Sequence, residues 1–386
     1  MRALYTIETS KDISNIENHS QHVTDSRSEY APMTVPHSRK SKPYLRRLAF
    51  AGLMIFPSLP LQAQSGSARL VTDETQRSID RGLQFLAARQ HSDGAFGSGS
   101  RYRRSVAVTS LCGLAFLSQG STPGRGRFGI RLTNSLKFIL ARCQPNGFIV
   151  DENVADYGPM YGHGFATMFL AETYGMTHDR ILRQETRRNL ENAVKLILAT
   201  QNDKGGWRYQ PHKADADLSV TICQVMALRA ARNAGIHVPK VAIEKSLHYL
   251  RSCQNRDGGF RYQLTQRTRS LFPRSAAGLV GLYSLGVYQG KEIDRAKKYL
   301  EDFRPRGGKP RYENHYYYGH YYAIQAMWQA GGNESKRWYR AIRNEMLLTQ
   351  KNDGSWPKRL VCEEYATAMS LLVLQTPNDY LPIFQR

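Results

Sequence analysis

The stretch NAVKLILATQNDKGGW at residues 192–207 decides how this 386-residue chain reads. An apolar helix runs into Gln201, then a polar turn with glycine, then a tryptophan. Leu190, Val194, Ile197 and Leu198 make one stripe at the helical period, while Arg187, Glu191 and Lys195 face away. The phrase returns as RGLQFLAARQHSDGAF at 81–96, KSLHYLRSCQNRDGGF at 245–260 and RNEMLLTQKNDGSW at 343–356. Two looser copies are SLKFILARCQPNGF at 135–148 and RAKKYLEDFRPRGGKPRY at 295–312, where Arg304 takes the place of the glutamine. Their glycines, Gly94, Gly147, Gly205, Gly258, Gly307 and Gly354, are spaced by 53, 58, 53, 49 and 47 residues. A period in this range is the mark of a repeat architecture.

Between the copies lies a second kind of helix, apolar on all sides: VAVTSLCGLAFLSQG, YGHGFATMFLAETYG, ADLSVTICQVMALRAARNAG, SAAGLVGLYSLG, YGHYYAIQAMWQAGG and YATAMSLLVLQTP. Five of these end at glycine, which suits a left-handed helix stop, and the sixth ends before Pro377. A two-sided helix belongs on an outer layer and an all-apolar one inside. The expectation is an all-α fold over residues 70–386, an α/α toroid of about six helical hairpins. An open solenoid is the alternative, but six units suit closure.

The first 64 residues read differently. Residues 1–47 show no periodic apolar face. A basic run, SRKSKPYLRR at 38–47, is followed by an apolar core at about 48–60, a proline break and small residues. This is the pattern of a secretory signal, with a cut after Ala63. Such a signal sits near a start, so translation from Met33 rather than Met1 fits it better. The expected address is bacterial periplasm or exterior; a retained membrane anchor is the rival.

The net charge of +22 is not confined to that segment, because residues 65–386 hold 46 Lys/Arg against 27 Asp/Glu. Arginines cluster at Arg101, Arg103 and Arg104, at Arg267, Arg269 and Arg274, and at Arg304, Arg306 and Arg311. A basic surface favours anionic partners, such as a membrane surface or an envelope component. No zinc-finger, helix-turn-helix or RNA-binding signature accompanies it, which argues against nucleic acid. The five cysteines are scattered through helical patterns, so they form no disulfide framework and no paired-cysteine metal site.

The repeat resembles that of squalene cyclases: Arg81, Gly82, Phe85, Leu86, Gln90, Gly94 and Phe96 fit it, as do Gln201, Gly205 and Trp207, and Gln254, Gly258 and Phe260. Gln350, Gly354 and Trp356 fit more loosely. The chain is similar over most of residues 75–386 to prenyltransferase and squalene-oxidase repeat proteins. These are a branch of the terpenoid-cyclase and protein-prenyltransferase toroids. It looks most like secreted single-toroid members from planctomycete-type bacteria. The resemblance implies that the glutamine ties an outer helix to the following turn, a structural role.

Class II terpene cyclases in this superfamily carry Asp-x-Asp-Asp and then Thr-Ala at the start of an inner helix, the middle aspartate protonating an alkene. Here the match runs Asp215, Ala216, Asp217, Leu218, Ser219, so Asp217 falls on the acid position and Leu218 replaces the last aspartate. The competing reading makes Asp217 or Ser219 a helix cap. Tyr161 and His163 of YGHGFA, Tyr318 and His320 of YGHYYA, and Glu364 are expected to line a central cavity, the two histidines from opposite sides. The zinc pattern of protein prenyltransferases and the Asp-Asp-x-x-Asp of class I synthases are absent, and DENVAD at 151–156 does not fit the latter. No metal and no cofactor are expected.

Three functions stay open. One is an exported toroid with a degenerate catalytic motif that binds a lipid, apolar ligand or envelope partner. Another is a terpene cyclase or isomerase on an apolar isoprenoid, with Asp217 as general acid, or a prenyltransferase-like enzyme. The third is a carbohydrate-active toroid, for which Glu363, Glu364, Asp156 and Asp217 are the thin candidates.

Overall fold

The computed structural model describes residues 70–152, 158–307 and 315–385. The segment read as a secretory signal and Asp156 lie outside the described residues. Amphipathic helices α1 (Asp73–Arg89), α4 (Gly129–Leu140), α6 (Arg180–Thr200), α8 (Lys240–Cys253), α10 (Lys291–Glu301) and α12 (Gly332–Thr349) alternate with apolar ones. The apolar set is α3 (Val106–Leu117), α5 (Pro159–Tyr174), α7 (Leu218–Asn233), α9 (Phe272–Ser284), α11 (Tyr316–Ala330) and α13 (Glu363–Leu374). A four-residue helix α2 (Gly99–Tyr102) precedes α3. Among the described residues, extended pairing is limited to isolated bridges such as Cys143 with Ile149 and Gln254 with Phe260.

The apolar helices pack in a closed cycle, α3 on α5, α7, α9, α11, α13 and back to α3, and the amphipathic helices lie outside them. The chain is therefore an α/α toroid, not an open solenoid. The stripe on α6 explains the layering: Leu190, Val194 and Ile197 are buried, while Arg187 and Lys195 are exposed. Inner helix α5, by contrast, buries nearly every residue along its length.

The repeated turn is a hydrogen-bonded joint. Gln201 Nε2 donates to the carbonyl of Gly205 at 3.2 Å in its own turn, and to the Ala242 carbonyl and Ser246 Oγ at 3.0 Å on the next outer helix. Gln90 does the same toward Gly94, Arg131 and Ser135. Gln350 closes the ring, donating to Gly354 and back to the Ser78 carbonyl at 2.9 Å. One amide thus ties its own turn to a backbone carbonyl of the next outer helix, fastening neighbouring units together.

The turn glycines are required on two counts. Gly354 has φ +88°, and a Cβ there would lie 2.5 Å from the Arg81 carbonyl oxygen of α1. Gly94, Gly147, Gly205 and Gly258 show the same conformation and the same clash with a neighbouring outer helix. The fifth copy differs: Gly307 meets nothing within 4 Å, and Arg304 turns to Glu301 of its own helix.

One expectation needs adjustment. Gly120, Gly235, Gly286 and Gly331 do stop inner helices with positive φ, but Gly175 stays right-handed at φ −69°. The far end of the ring is also covered. The segment after α13 tucks Leu381, Ile383 and Phe384 into the core, and Arg229 of α7 holds the Gln385 carbonyl at 3.1 Å.

Candidate functional site

The described parts of the connections from outer to inner helices run across one end of the toroid, and there the ring opens into a cavity of about 790 Å³. Its wall is aliphatic and aromatic: Val106, Val108, Leu111, Phe165, Tyr161 and Tyr318 are among the side chains that line it. Phe165 of α5 meets Tyr321 of α11 at 6.4 Å between ring centroids, so these two helices face each other across the ring centre. Arg101, Arg104, Arg274 and Asp151 stand along the wall with His315.

Asp217 caps α7. Its Oδ1 accepts from the Val220 amide at 2.9 Å, and its own amide donates to the Trp207 carbonyl at 3.0 Å. The side chain is fully buried, and Oδ2 has no hydrogen-bond partner. Burial drives the carboxyl up to about 6, against the Val220 and Ser219 amides and Arg208, which favour the charged form. Asp217 is not itself on the cavity wall. It lies behind it: burial pushes the hydroxyl pKa values of the lining residues Tyr161, Tyr262 and Tyr318 up, and the nearby Asp217 adds to that.

Asp215 goes elsewhere. It is exposed, takes the Gln263 amide at 2.8 Å and the Arg208 guanidinium at 3.4 Å, and accepts from the Ala216 amide. Solvent and these polar partners give it no share in the buried site. Leu218, where related cyclases hold their last aspartate, is buried in the core. Ser219, the next residue, is on the cavity wall.

Tyr161 and Tyr318 lie on that wall. His163, His320 and Glu364, expected beside them, do not. His163 Nδ1 accepts from the Ile149 amide at 3.2 Å. The four corresponding turns use a hydroxyl for this bond: Thr109 accepts from Phe96, Thr221 from Trp207, Ser275 from Phe260 and Thr367 from Trp356. His163 is thus the second unit's version of a structural acceptor, and burial lowers its pKa to about 4. His320 packs between the rings of Phe272 and Tyr316, at 5.0 and 4.6 Å, with burial lowering its pKa to about 3. Glu364 is buried at the start of α13 in an ion pair with Arg89 at 3.1 Å, and it accepts from Ser98 Oγ at 2.8 Å. Burial would raise its pKa, but its own amide, Ser98, Cys362 and Arg89 outweigh that and lower it.

A second pair of tyrosines escaped the sequence reading. Tyr209 and Tyr262 line the cavity and share a hydrogen bond of 2.5 Å between hydroxyls, with the Arg208 guanidinium over both rings. The signal for them is in the repeat: GGWRY at 205–209 and GGFRY at 258–262 put a tyrosine two residues past the packed aromatic. Among the described residues, no group of three or more His, Cys, Asp or Glu converges as a metal site, and the five cysteines are unpaired.

Comparison with solved structures places this geometry. The type II terpene cyclase MstE from Scytonema matches with a TM-score of 0.57 and 15% identity, over 80% of this chain and 99% of that one. A variant of it is known in complex with the substrate geranylgeranyl dihydroxybenzoate. A protein from Actinoplanes matches with a TM-score of 0.58 and 15% identity, over 78% and 99%. An alpha-1,6-mannanase of Salegentibacter matches with a TM-score of 0.57 and 9% identity, over 80% and 100%. At these identities the likeness is one of fold, shared by terpene cyclases and mannanases alike. No curated protein matches the chain. A family model described as the prenyltransferase alpha-alpha toroid domain matches residues 54–153 and 165–302. With the closed double ring and the repeated Gln-Gly joint already seen, the chain belongs to the prenyltransferase alpha-alpha toroid family.

Proposed function

We propose that this protein is an exported toroid that binds an apolar, isoprenoid-class ligand in its central cavity and presents a basic face to an anionic partner. The observation that carries the reading is the cavity itself. Its volume of about 790 Å³ falls in the usual range for small-molecule sites, and aliphatic side chains and tyrosines line most of it. Arg101, Arg104 and Arg274 on the wall suit a ligand with an anionic head and a greasy tail. Export rests on the basic run and apolar core before residue 64.

The enzyme reading draws on one observation, the buried Asp217 carboxyl with a free oxygen and a pKa raised to about 6. A carboxyl whose pKa is moved up toward the working pH is what a general acid requires. Against it, Asp217 caps a helix, sits behind the tyrosines, and no second aspartate is buried among the described residues to polarise it. The carbohydrate reading needs a carboxylate pair facing the substrate. Among the described lining residues Asp151 is the one carboxylate, and it is paired with Arg142 at 3.4 Å. Glu363 is held by Lys351 and Glu364 by Arg89.

Native mass spectrometry with geranylgeranyl dihydroxybenzoate as probe tests the binding reading. A bound mass in the parent, lost when Val108→Trp fills the cavity, is the expected result; equal binding by both overturns it. Incubating the same probe with parent and Asp217→Asn separates binding from turnover. A new product from the parent alone would establish the acid.

A further inference from the structure

The connections that ring the mouth are not alike in charge. Those of units four, six and one, with the described residues 302–307 of unit five, lie in an arc along one side of the mouth, because α11 packs on α9 and α13, and α13 packs back on α3. Residues 254–271 hold four arginines against one acid, and residues 90–105 hold three against one. Arg101, Arg267, Arg269, Arg306, Lys358 and Arg359 on this arc are exposed. The acids among them are exposed as well, but those of residues 90–105, 254–271 and 350–362 are tied into local bonds and are outnumbered by the cations. Asp257 accepts from the Gly259 amide and Ser270 Oγ, Asp353 from the Ser355 amide and hydroxyl, and Asp93 meets Arg104 at 3.5 Å. On the opposite side of the mouth the charges cancel: Arg142 pairs with Asp151, Arg208 with Asp215, and Glu152 adds a negative charge.

Two large apolar side chains stand out on the same arc. Leu271 is 39% exposed and Leu360 52% exposed, and Leu360 directly follows Lys358 and Arg359. The other exposed large apolar residues, Ile130, Ile181, Val241, Leu348 and Tyr380, belong to outer helices or the C-terminal segment. A soluble polyanion would be served by the cations alone. Leucines projecting between cations fit a surface that is anionic at its face and apolar just beneath, which is an anionic lipid bilayer.

We infer that the arc over residues 254–271, 350–362 and 90–105 docks the mouth of the toroid on an anionic membrane surface, with Leu271 and Leu360 entering the headgroup layer. The toroid then sits tilted, cationic side down, and an apolar ligand passes between bilayer and cavity without crossing water. This names the partner left general in the proposed function and rests on that reading for its purpose. The docking itself does not depend on what the cavity holds.

Flotation of the full chain with phosphatidylcholine vesicles, with and without phosphatidylglycerol, tests it; the N-terminal segment is common to every variant and cancels. The parent is expected to float with phosphatidylglycerol vesicles and to be released by salt. Arg267→Ser with Arg269→Ser should cut the partition by about tenfold or more. Leu360→Ser should cut it several-fold with no change of charge. Arg125→Ser with Arg127→Ser, at the opposite end of the ring, should leave it unchanged. Equal losses from the two arginine pairs, or no effect of Leu360→Ser while soluble polyphosphate strips the protein from vesicles, would overturn the proposal. Native mass spectrometry reads the cavity separately, so docking can fail while ligand binding stands, and the reverse.

Discussion

The turns and the cavity wall of this toroid obey opposite rules. In four of the six units the turn is the same joint: glutamine on a carbonyl, glycine against the next outer helix, a buried aromatic. On the wall no two units contribute the same set. The second unit offers Tyr161 and Phe165, the third Ser219, the fifth Tyr318 and the sixth Tyr365. Repetition marks what the ring needs to close. Variation marks where the chain is free to meet something else, and the basic arc is part of that variation.

The comparison breaks most sharply at a turn glycine. Gly354→Ala forces a Cβ to within 2.5 Å of the Arg81 carbonyl, backbone that cannot swing aside, at a φ of +88°. That joint also closes the ring, so we expect a loss of about 3 kcal/mol or more. Gly124→Ala, at φ +78° but with nothing within 4 Å, isolates the conformational part and should cost only about 1 kcal/mol. Urea unfolding of the two variants measures the difference. Equal costs would mean that the close approach contributes nothing.

Gln201→Ala comes next. It removes three hydrogen bonds made by one buried amide, which tie its own turn to the next outer helix, for about 2–3 kcal/mol. Arg304→Ala, at the degenerate fifth joint, should cost well under 1 kcal/mol, because its partner is a half-exposed Glu301 on the same helix. If the two variants unfold alike, the glutamine is not the joint.

Those joints were the legible part of the molecule. Six copies average out local noise, and the layer of each helix follows from whether its apolar residues form a stripe or a full surface. The site was harder to read, because a residue's place at an inner helix start does not say where its side chain goes. His163 and Tyr161 are two residues apart on one helix, yet the tyrosine lines the cavity and the histidine bonds to its own turn. Only the alignment of His163 with Thr109, Thr221, Ser275 and Thr367 exposes it as an acceptor, and that alignment needs the fold. Tyr209 and Tyr262 were missed because the repeat was read for its joint and not two residues past it.

Asp217 stands where the two rules meet, as a cap at the edge of the wall. Its folded pKa of about 6 lies above the ordinary 3.8, so the fold favours the protonated form. Stability from this group is complete below about pH 3.8 and falls as pH rises through 6, by about 3 kcal/mol at most. The buried histidines run the other way. With pKa values lowered to about 4 and 3, His163 and His320 cost stability as pH falls below their ordinary 6.5. Because both residues are present in either variant, their effect cancels when Asp217→Asn is compared with the parent. Asparagine keeps a cap acceptor for the Val220 amide and removes the buried charge. The two proteins should therefore unfold alike near pH 4, and the asparagine variant should be more stable by about 1–2 kcal/mol near pH 7. Asp217→Ala should lose about 1 kcal/mol at pH 4, where only the cap is at stake. An asparagine variant less stable than the parent at pH 7 would mean that the charged carboxylate is compensated in the folded protein. The free Oδ2 would then be facing a partner, and the case for a working acid behind the tyrosine wall would gain what the cap has taken from it.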